Sequence, residues 1–133
     1  MDNISNQQIL EQTYKNYAAG NISAVLSSFD KDIIWERPGP PSIPFSGIFK
    51  GIGEVTKMFA IVAATLTIKT FLPEKIFTND DTVLVLGHDL VEVIATGKSY
   101  STEWAQSFTF KDGKIIYVRV YLDTKTIADA FLP

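Results

Sequence analysis

Apolar residues recur at helical spacing in the first half of the chain and at strand spacing in the second. Behind Ser5-x-x-Gln8, which reads as a capping box, Leu10, Tyr14 and Tyr17 fall at i, i+4 and i+7. Gly20 is a suitable stop, and Asn21 can cap a second short helix whose apolar face is Ile22, Val25, Leu26 and Phe29. Residues 32–37 read as a short strand. The run from Pro38 to Pro44 is a stiff loop or flap, because each proline lacks the N–H that a helix or central strand uses. Gly47 and Gly51 punctuate the way into a third helix with Val55, Met58, Phe59 and Val62 on one face.

From Thr65 onward the pattern is that of strands. Residues 66–72 form the first, Pro73 forces a break or an edge, and 76–78 continue it to a turn at 79–81. Residues 82–94 and 99–110 are long β-rich runs joined by a turn at Thr96 and Gly97. Asp112-Gly113 is a two-residue hairpin signal, since both positions want positive φ. Residues 115–122 close the meander, and Asp123 or Thr124 caps a short final helix ending near Phe131. Three helices and one early strand before an antiparallel meander specify an α+β fold.

Strand alternation assigns faces. Tyr100, Thr102, Trp104, Gln106, Phe108 and Phe110 share one face, taken as the core side. Ile116, Val118, Val120 and Leu122 are expected to point the same way. Both faces of 82–94 are mostly apolar, so pattern alone leaves that strand undecided. The other side of the sheet, with Leu84, Leu86 and Leu90 as candidates for it, has no helix to cover it. Such a face usually finds another subunit, so a homodimer through it is expected.

Composition narrows the function classes. The chain has 133 residues, 46% hydrophobic and 20% charged, which suits one globular domain over 1–133. Its net charge is −3, its only arginines are Arg37 and Arg119, and its lysines are dispersed. Nucleic-acid binders need a dense basic footprint, so no nucleic-acid partner is expected. The sequence has no cysteine, hence no disulfide, thiolate nucleophile or cysteine zinc site. His88 is the only histidine and cannot form a histidine metal cluster. The first residues lack a basic segment followed by an apolar one, and the apolar stretch 58–68 is about half the roughly 20 residues a spanning helix needs. No membrane partner and a cytoplasmic setting are therefore expected. No phosphate-cradling glycine motif or G-x-S-x-G elbow is present, so no cofactor is expected.

Several features together resemble the SnoaL-like group of the nuclear transport factor 2-like (ketosteroid isomerase-like) superfamily. They are the Tyr14-x-x-Tyr17-Ala-Ala-Gly-Asn21 turn, Asp32-Ile-Ile-Trp-Glu-Arg-Pro38 with its proline-rich sequel, Asp112-Gly113-Lys114-Ile115, and Tyr121-Leu-Asp123. The resemblance implies a cone-shaped curved antiparallel sheet wrapped around three helices, cystatin-like in outline, with a short C-terminal helix. It also implies an apolar pocket at the open end, a homodimer, and the odd residues of 82–94 facing inward. Polyketide cyclases and epoxide hydrolases of the superfamily place an acid on the last strand, where this chain has Val120. The epoxide hydrolases' Arg and Asp, two residues apart, match Gly87 and Asp89, so only the aspartate is present. The ketosteroid isomerase base matches Arg37, with Glu36 one position earlier, and its protonated-Asp donor matches Gln106, which donates but does not titrate. Its helix-1 tyrosine falls at Thr13, beside Tyr14. Each scheme lacks at least one member, and fold alone does not decide function.

The remaining polar set is Tyr14, Glu36, Asp89 and Gln106. Glu36 and Asp89 are the candidate catalytic carboxylates, since an acid inside an apolar cone would titrate nearer neutrality, as a general base requires. The competing readings are a solvated Glu36 paired with Arg37 or Lys50, and a bulge or outward turn at Asp89. Tyr14, Trp35, Phe45, Phe59, Trp104, Gln106 and Val120 are candidate ligand contacts, with Phe45, Phe49 and Phe59 available to close the mouth. Trp35 and Trp104 are equally candidates for packing. By parity His88 faces away from Asp89, toward an interface or the surface. Three functions fit: a cofactor-independent proton-transfer enzyme (isomerase, cyclase or hydratase) on a small, mostly apolar molecule; a ligand-binding protein without a reaction; and a dimeric interaction scaffold.

Overall fold

The computed structural model describes residues 5–133. Ser5 Oγ accepts the Gln8 N–H at 3.1 Å while Gln8 Oε1 accepts the Ser5 N–H at 3.0 Å, and this capping box starts α1 (Asn6–Ala18). Gly20, at φ 75°, ends that turn, and Asn21 caps α2 (Ile22–Ser27). β1 (Phe29–Arg37) begins three residues before the expected strand. The proline segment then folds into consecutive turns, with Ile43 N bonded to Pro40 O and Ser46 N to Ile43 O. These turns press Ile43 and Phe45 into the core, so the segment is a packed corner and not a flap.

A four-residue strand, β2 (Gly47–Lys50), lies where the sequence shows only glycine punctuation. It pairs antiparallel with β1 from Arg37↔Gly47 to Ile34↔Lys50. α3 (Gly51–Thr65) buries Val55, Met58 and Val62, the stripe that its apolar spacing specifies. Each such side chain contributes roughly 1.5–3 kcal/mol when removed from water.

β3 (Leu66–Asn79), β4 (Thr82–Val93), β5 (Ser99–Lys111) and β6 (Lys114–Tyr121) follow as a meander, and α4 (Thr124–Phe131) starts at the Asp123 cap. The six strands form one curved, unclosed sheet in the order β2-β1-β6-β5-β4-β3. The β1–β6 pair is parallel, because β1 enters from the helical layer and not from a hairpin, and the other pairings are antiparallel. Pro73 sits on the edge strand β3 at a register shift, where its missing N–H removes no ladder bond. Asp112 (φ 50°) and Gly113 (φ 76°) form the tight β5–β6 turn.

The core lies between the inner sheet face and the first three helices, with Leu10, Val25 and Met58 meeting Val85, Phe108 and Val118. β4 alternates strictly, with Val83, Val85, Asp89 and Val91 inward, as the resemblance implied. β5 presents its expected inner set. On β6, Val118 and Val120 are inward but Ile116 is not, and Ile115 takes its place in the core. The reason is a bulge: Phe110 pairs with Ile115 while the preceding Thr109 pairs with Tyr117, leaving Ile116 unpaired. Leu122 lies past the strand end and is half-buried.

Candidate functional site

Inside the cone, α1, β1, α3 and the inner faces of β4 and β5 enclose a cavity of about 90 Å³. Its wall is mostly apolar, and polar groups enter from four directions.

Asp89 comes from β4 and is 7% exposed. Its Oδ1 accepts Thr102 N–H at 2.9 Å and Thr102 Oγ–H at 2.7 Å, while Oδ2 has no hydrogen bond among the described residues. The β4–β5 register explains the contact, since Asp89 and Thr102 are directly paired. Gln106 on β5 accepts the Tyr14 hydroxyl at 2.6 Å through Oε1, and its amide N–H groups have no partner among the described residues. Burial pushes the Tyr14 phenol far above its ordinary value, so it stays protonated and donates.

Arg37 enters from β1 and is the residue that sequence reasoning missed. It shares the inner face with Trp35, and its guanidinium carbon lies 4.3 Å from the Phe45 ring centroid. Among the described residues no carboxylate lies within salt-bridge distance of it and no hydrogen bond satisfies it. Burial pulls the guanidinium below its ordinary value, against the pull of Tyr100, Asp89 and Tyr17. Tyr100 is pushed up to about 12, chiefly by burial, with Arg37 opposing and Asp89 adding. Tyr17 is likewise raised by burial and lowered by Arg37. Arg37, Asp89, Tyr100 and Tyr17 therefore form one electrostatic cluster in one cavity. The available signal was parity: Ile33, Trp35 and Arg37 alternate with Ile34 and Glu36, and an inward Trp35 carries Arg37 inward with it.

The same parity removes Glu36 from the pocket. It lies on the outer sheet face, where Arg119 Nη1 donates to its Oε2 and Tyr117 donates to its Oε1 at 2.9 Å. Its ion-pair partner is Arg119, opposite it in the β1–β6 register, and not Arg37 or Lys50.

Of the other candidates, Tyr14, Trp35, Phe59 and Gln106 line the cavity with Asp89. Phe45 does not; it is wholly buried beneath Arg37 with its ring against Phe131, so it does not close the mouth. Trp104 lies outside the lining, stacked on Phe71 with centroids 4.8 Å apart and packed across Gly87. Val120 is core, 1% exposed, and also outside it. His88 is on the outer face, paired with Glu74 at 2.8 Å. The Tyr17, Phe59 and Phe71 rings line both the cavity and an open groove of about 790 Å³ beside α1 and α3. The Tyr17 ring centroid lies 6.0 Å from that of Phe59 and 5.6 Å from that of Phe71.

Among the described residues no three His, Cys, Asp or Glu side chains cluster as metal ligands, and no helix is long and apolar enough to cross a membrane.

A curved sheet closed over three helices around a part-polar internal cavity defines an α+β pocket domain of the nuclear transport factor 2-like type. The family model described as the SnoaL-like domain matches residues 10–118, and the chain belongs to that family. No curated protein matches it. An NTF2-like protein from Burkholderia xenovorans is 24% identical with a TM-score of 0.87, over 96% of this chain and 95% of that one. An NTF2-like protein of unknown function from Burkholderia pseudomallei is 20% identical with a TM-score of 0.90, over 98% and 100%. TerC, co-crystallised with polyporic acid, is 21% identical with a TM-score of 0.85, over 95% and 97%.

Proposed function

We propose that the cone holds a small, mostly apolar carbonyl compound and that Asp89 moves a proton on it without a cofactor, in an isomerisation, cyclisation or hydration. The observation that carries this reading is the half-committed Asp89 carboxylate. Thr102 fixes Oδ1 and so orients the group, while Oδ2 is left to act in the same cavity as the free Gln106 amide. Asp89 Oδ2 takes the proton from the carbon next to the carbonyl. The C–H electron pair moves onto the carbonyl oxygen, and the Gln106 N–H groups meet the developing oxyanion. Tyr14, donating to Gln106 Oε1, polarises that amide and strengthens it as a donor. Asp89 then returns the proton to a different atom. Deuterium exchange from solvent into a panel of cyclic ketones and enones, followed by NMR, tests this reading. Asp89→Asn is expected to lower exchange about 10²–10⁴-fold, the usual contribution of a positioned general base. Exchange that Asp89→Asn leaves unchanged, or none across the panel, overturns it.

A second reading, binding without turnover, is favoured by Val120, which occupies the acid position of the cyclases and hydrolases. The relative co-crystallised with polyporic acid supports a small-molecule occupant in either case. Both readings include a second copy across the outer sheet face, where Leu86 and Leu90 stand 37% and 39% exposed. Light scattering is expected to return twice the 14.8 kDa chain mass, and a monomer at micromolar concentration overturns that part.

A further inference from the structure

We infer that the cavity is built for an anion: its ligand carries a carboxylate, or an equally acidic oxygen, held by Arg37. This rests on the cavity being the ligand site and goes further by naming the ligand's charge.

The argument is an inventory of uncommitted polar groups. Arg37 brings a full set of guanidinium donors with no ion-pair or hydrogen-bond partner among the described residues. Trp35, two residues earlier on the same strand face, is 7% exposed and its indole N–H has no partner. The Tyr17 and Tyr100 hydroxyls make no hydrogen bond among the described residues, and both line the cavity with Arg37 and Trp35. Donors therefore outnumber acceptors, for which Asp89 Oδ2 is the one uncommitted side-chain oxygen of the cluster that can only accept. A neutral ketone would satisfy one donor and leave the cation without a counter-charge. A carboxylate presents two oxygens, matches the planar fork of Arg37, and can take Trp35 or Tyr100 on its remaining lone pairs.

The Phe45 ring beneath the guanidinium strengthens the case. Phe45 is completely buried, and Arg37 rests on its face. This contact holds the guanidinium against an apolar surface that offers its N–H groups no acceptor. Asp89 favours the charged form of Arg37 but does not pair with it, so the guanidinium is supported without being quenched.

Size sets how the anion enters. A cavity of about 90 Å³ is smaller than the roughly 150 Å³ that accepts benzene in a protein core. A short-chain acid fits as the cavity stands. A ring needs more room, and the residues the cavity shares with the groove, Tyr17, Phe59 and Phe71 among them, are where it would be found.

The test uses matched pairs that differ in charge and hardly in shape, propionate with propionamide and benzoate with benzamide, titrated into the whole chain by NMR. Each acid is expected to bind at least about tenfold more tightly than its amide, the scale of one charge-assisted hydrogen bond. Arg37→Gln is expected to erase that preference while leaving amide binding in place. Tyr100→Phe and Trp35→Phe, which each keep an aromatic ring and lose one donor, are each expected to weaken acid binding about threefold, which serves if Arg37→Gln fails to fold. Asp89→Asn removes a competing negative charge and is expected to tighten acid binding, although it slows exchange under the proton-transfer reading. Acids that bind while no ketone exchanges would leave this inference standing and remove the catalytic one. Amides that bind as tightly as acids, or an acid preference that survives Arg37→Gln and both ring-keeping variants, would overturn it.

Discussion

Glu36 and Arg37 are consecutive on β1, carry opposite charges, and are sent by the pleat to opposite faces of the sheet. On the outer face Glu36 meets Arg119 and Tyr117, and both its oxygens are used. On the inner face Asp89 favours the charged form of Arg37 yet does not pair with it. The outer set is an ion pair in which both carboxylate oxygens are used, with Arg119 Nε left over among the described residues. The inner set leaves a cation, an indole N–H, two phenols and one carboxylate oxygen without partners inside a cavity. Burying such groups even in part without pairing them costs stability, and proteins retain that arrangement where a ligand or reaction uses it.

The contrast can be broken most severely at Gly87. A methyl there would stand 2.3 Å from Trp104 Cζ2 and 2.4 Å from the Leu72 carbonyl oxygen. The backbone oxygen has no rotamer to escape into, so Gly87→Ala is expected to cost about 3 kcal/mol, at the upper end for overpacking. It should also drive Trp104 and Phe71 toward the cavity. Urea unfolding together with the benzoate titration checks both effects.

A smaller effect sharpens the comparison. Tyr14 and Tyr117 each donate one hydrogen bond to a side-chain oxygen, Tyr14 to Gln106 inside and Tyr117 to Glu36 outside. Each Tyr→Phe change is expected to cost about 1 kcal/mol in unfolding experiments. Only Tyr14→Phe should also slow ketone exchange, by about tenfold, because only it weakens an oxyanion donor. Equal exchange rates in the two variants would contradict the role given to Gln106.

The smallest effect lies outside both sets. Thr126 donates side-chain and backbone hydrogen bonds to Asp123, which holds that carboxyl below its ordinary 3.8. A folded-state value below the unfolded one stabilises the fold above the unfolded pKa, and the gain is lost as pH falls through the folded value. Asp123→Asn keeps a capping oxygen and removes the titration. Its acid unfolding profile is expected to be slightly flatter below pH 3.8 than that of the wild type.

Much of this was legible in the sequence because local chemistry and global fold agree. The Ser5 box, the Asn21 cap, the Asp112-Gly113 turn and the α3 stripe each act within a few residues. The inward set of β5 follows from alternation, and that of β4 needed the family resemblance because both its faces are apolar. Ile116 was misplaced because a bulge adds one residue and reverses parity without any composition signal. β2 was missed because four residues beginning with glycine carry no period. In the site, Asp89, Gln106 and Tyr14 stood out as polar residues in apolar surroundings. Glu36 stood out equally, and its commitment to Arg119 depends on a parallel pairing between residues far apart in sequence. Arg37 was hidden by its place beside Glu36, for which it read as an ion-pair partner. Tyr17 and Tyr100 passed as core aromatics, since their free hydroxyls exist only once the cavity is assembled.

The central claim is that the inner charges are held for a ligand and the outer ones for the fold. Comparing the urea midpoints of Arg37→Met and Arg119→Met without ligand tests it most directly. Methionine keeps the apolar stem in each case and removes the charge. Arg37→Met is expected to unfold at or above the wild-type midpoint, because a half-buried, unpaired cation is gone. Arg119→Met is expected to lose about 1–2 kcal/mol, because Glu36 is left half-buried without its partner. Arg37→Met falling as far as Arg119→Met would show that Arg37 serves the fold, and would contradict the account.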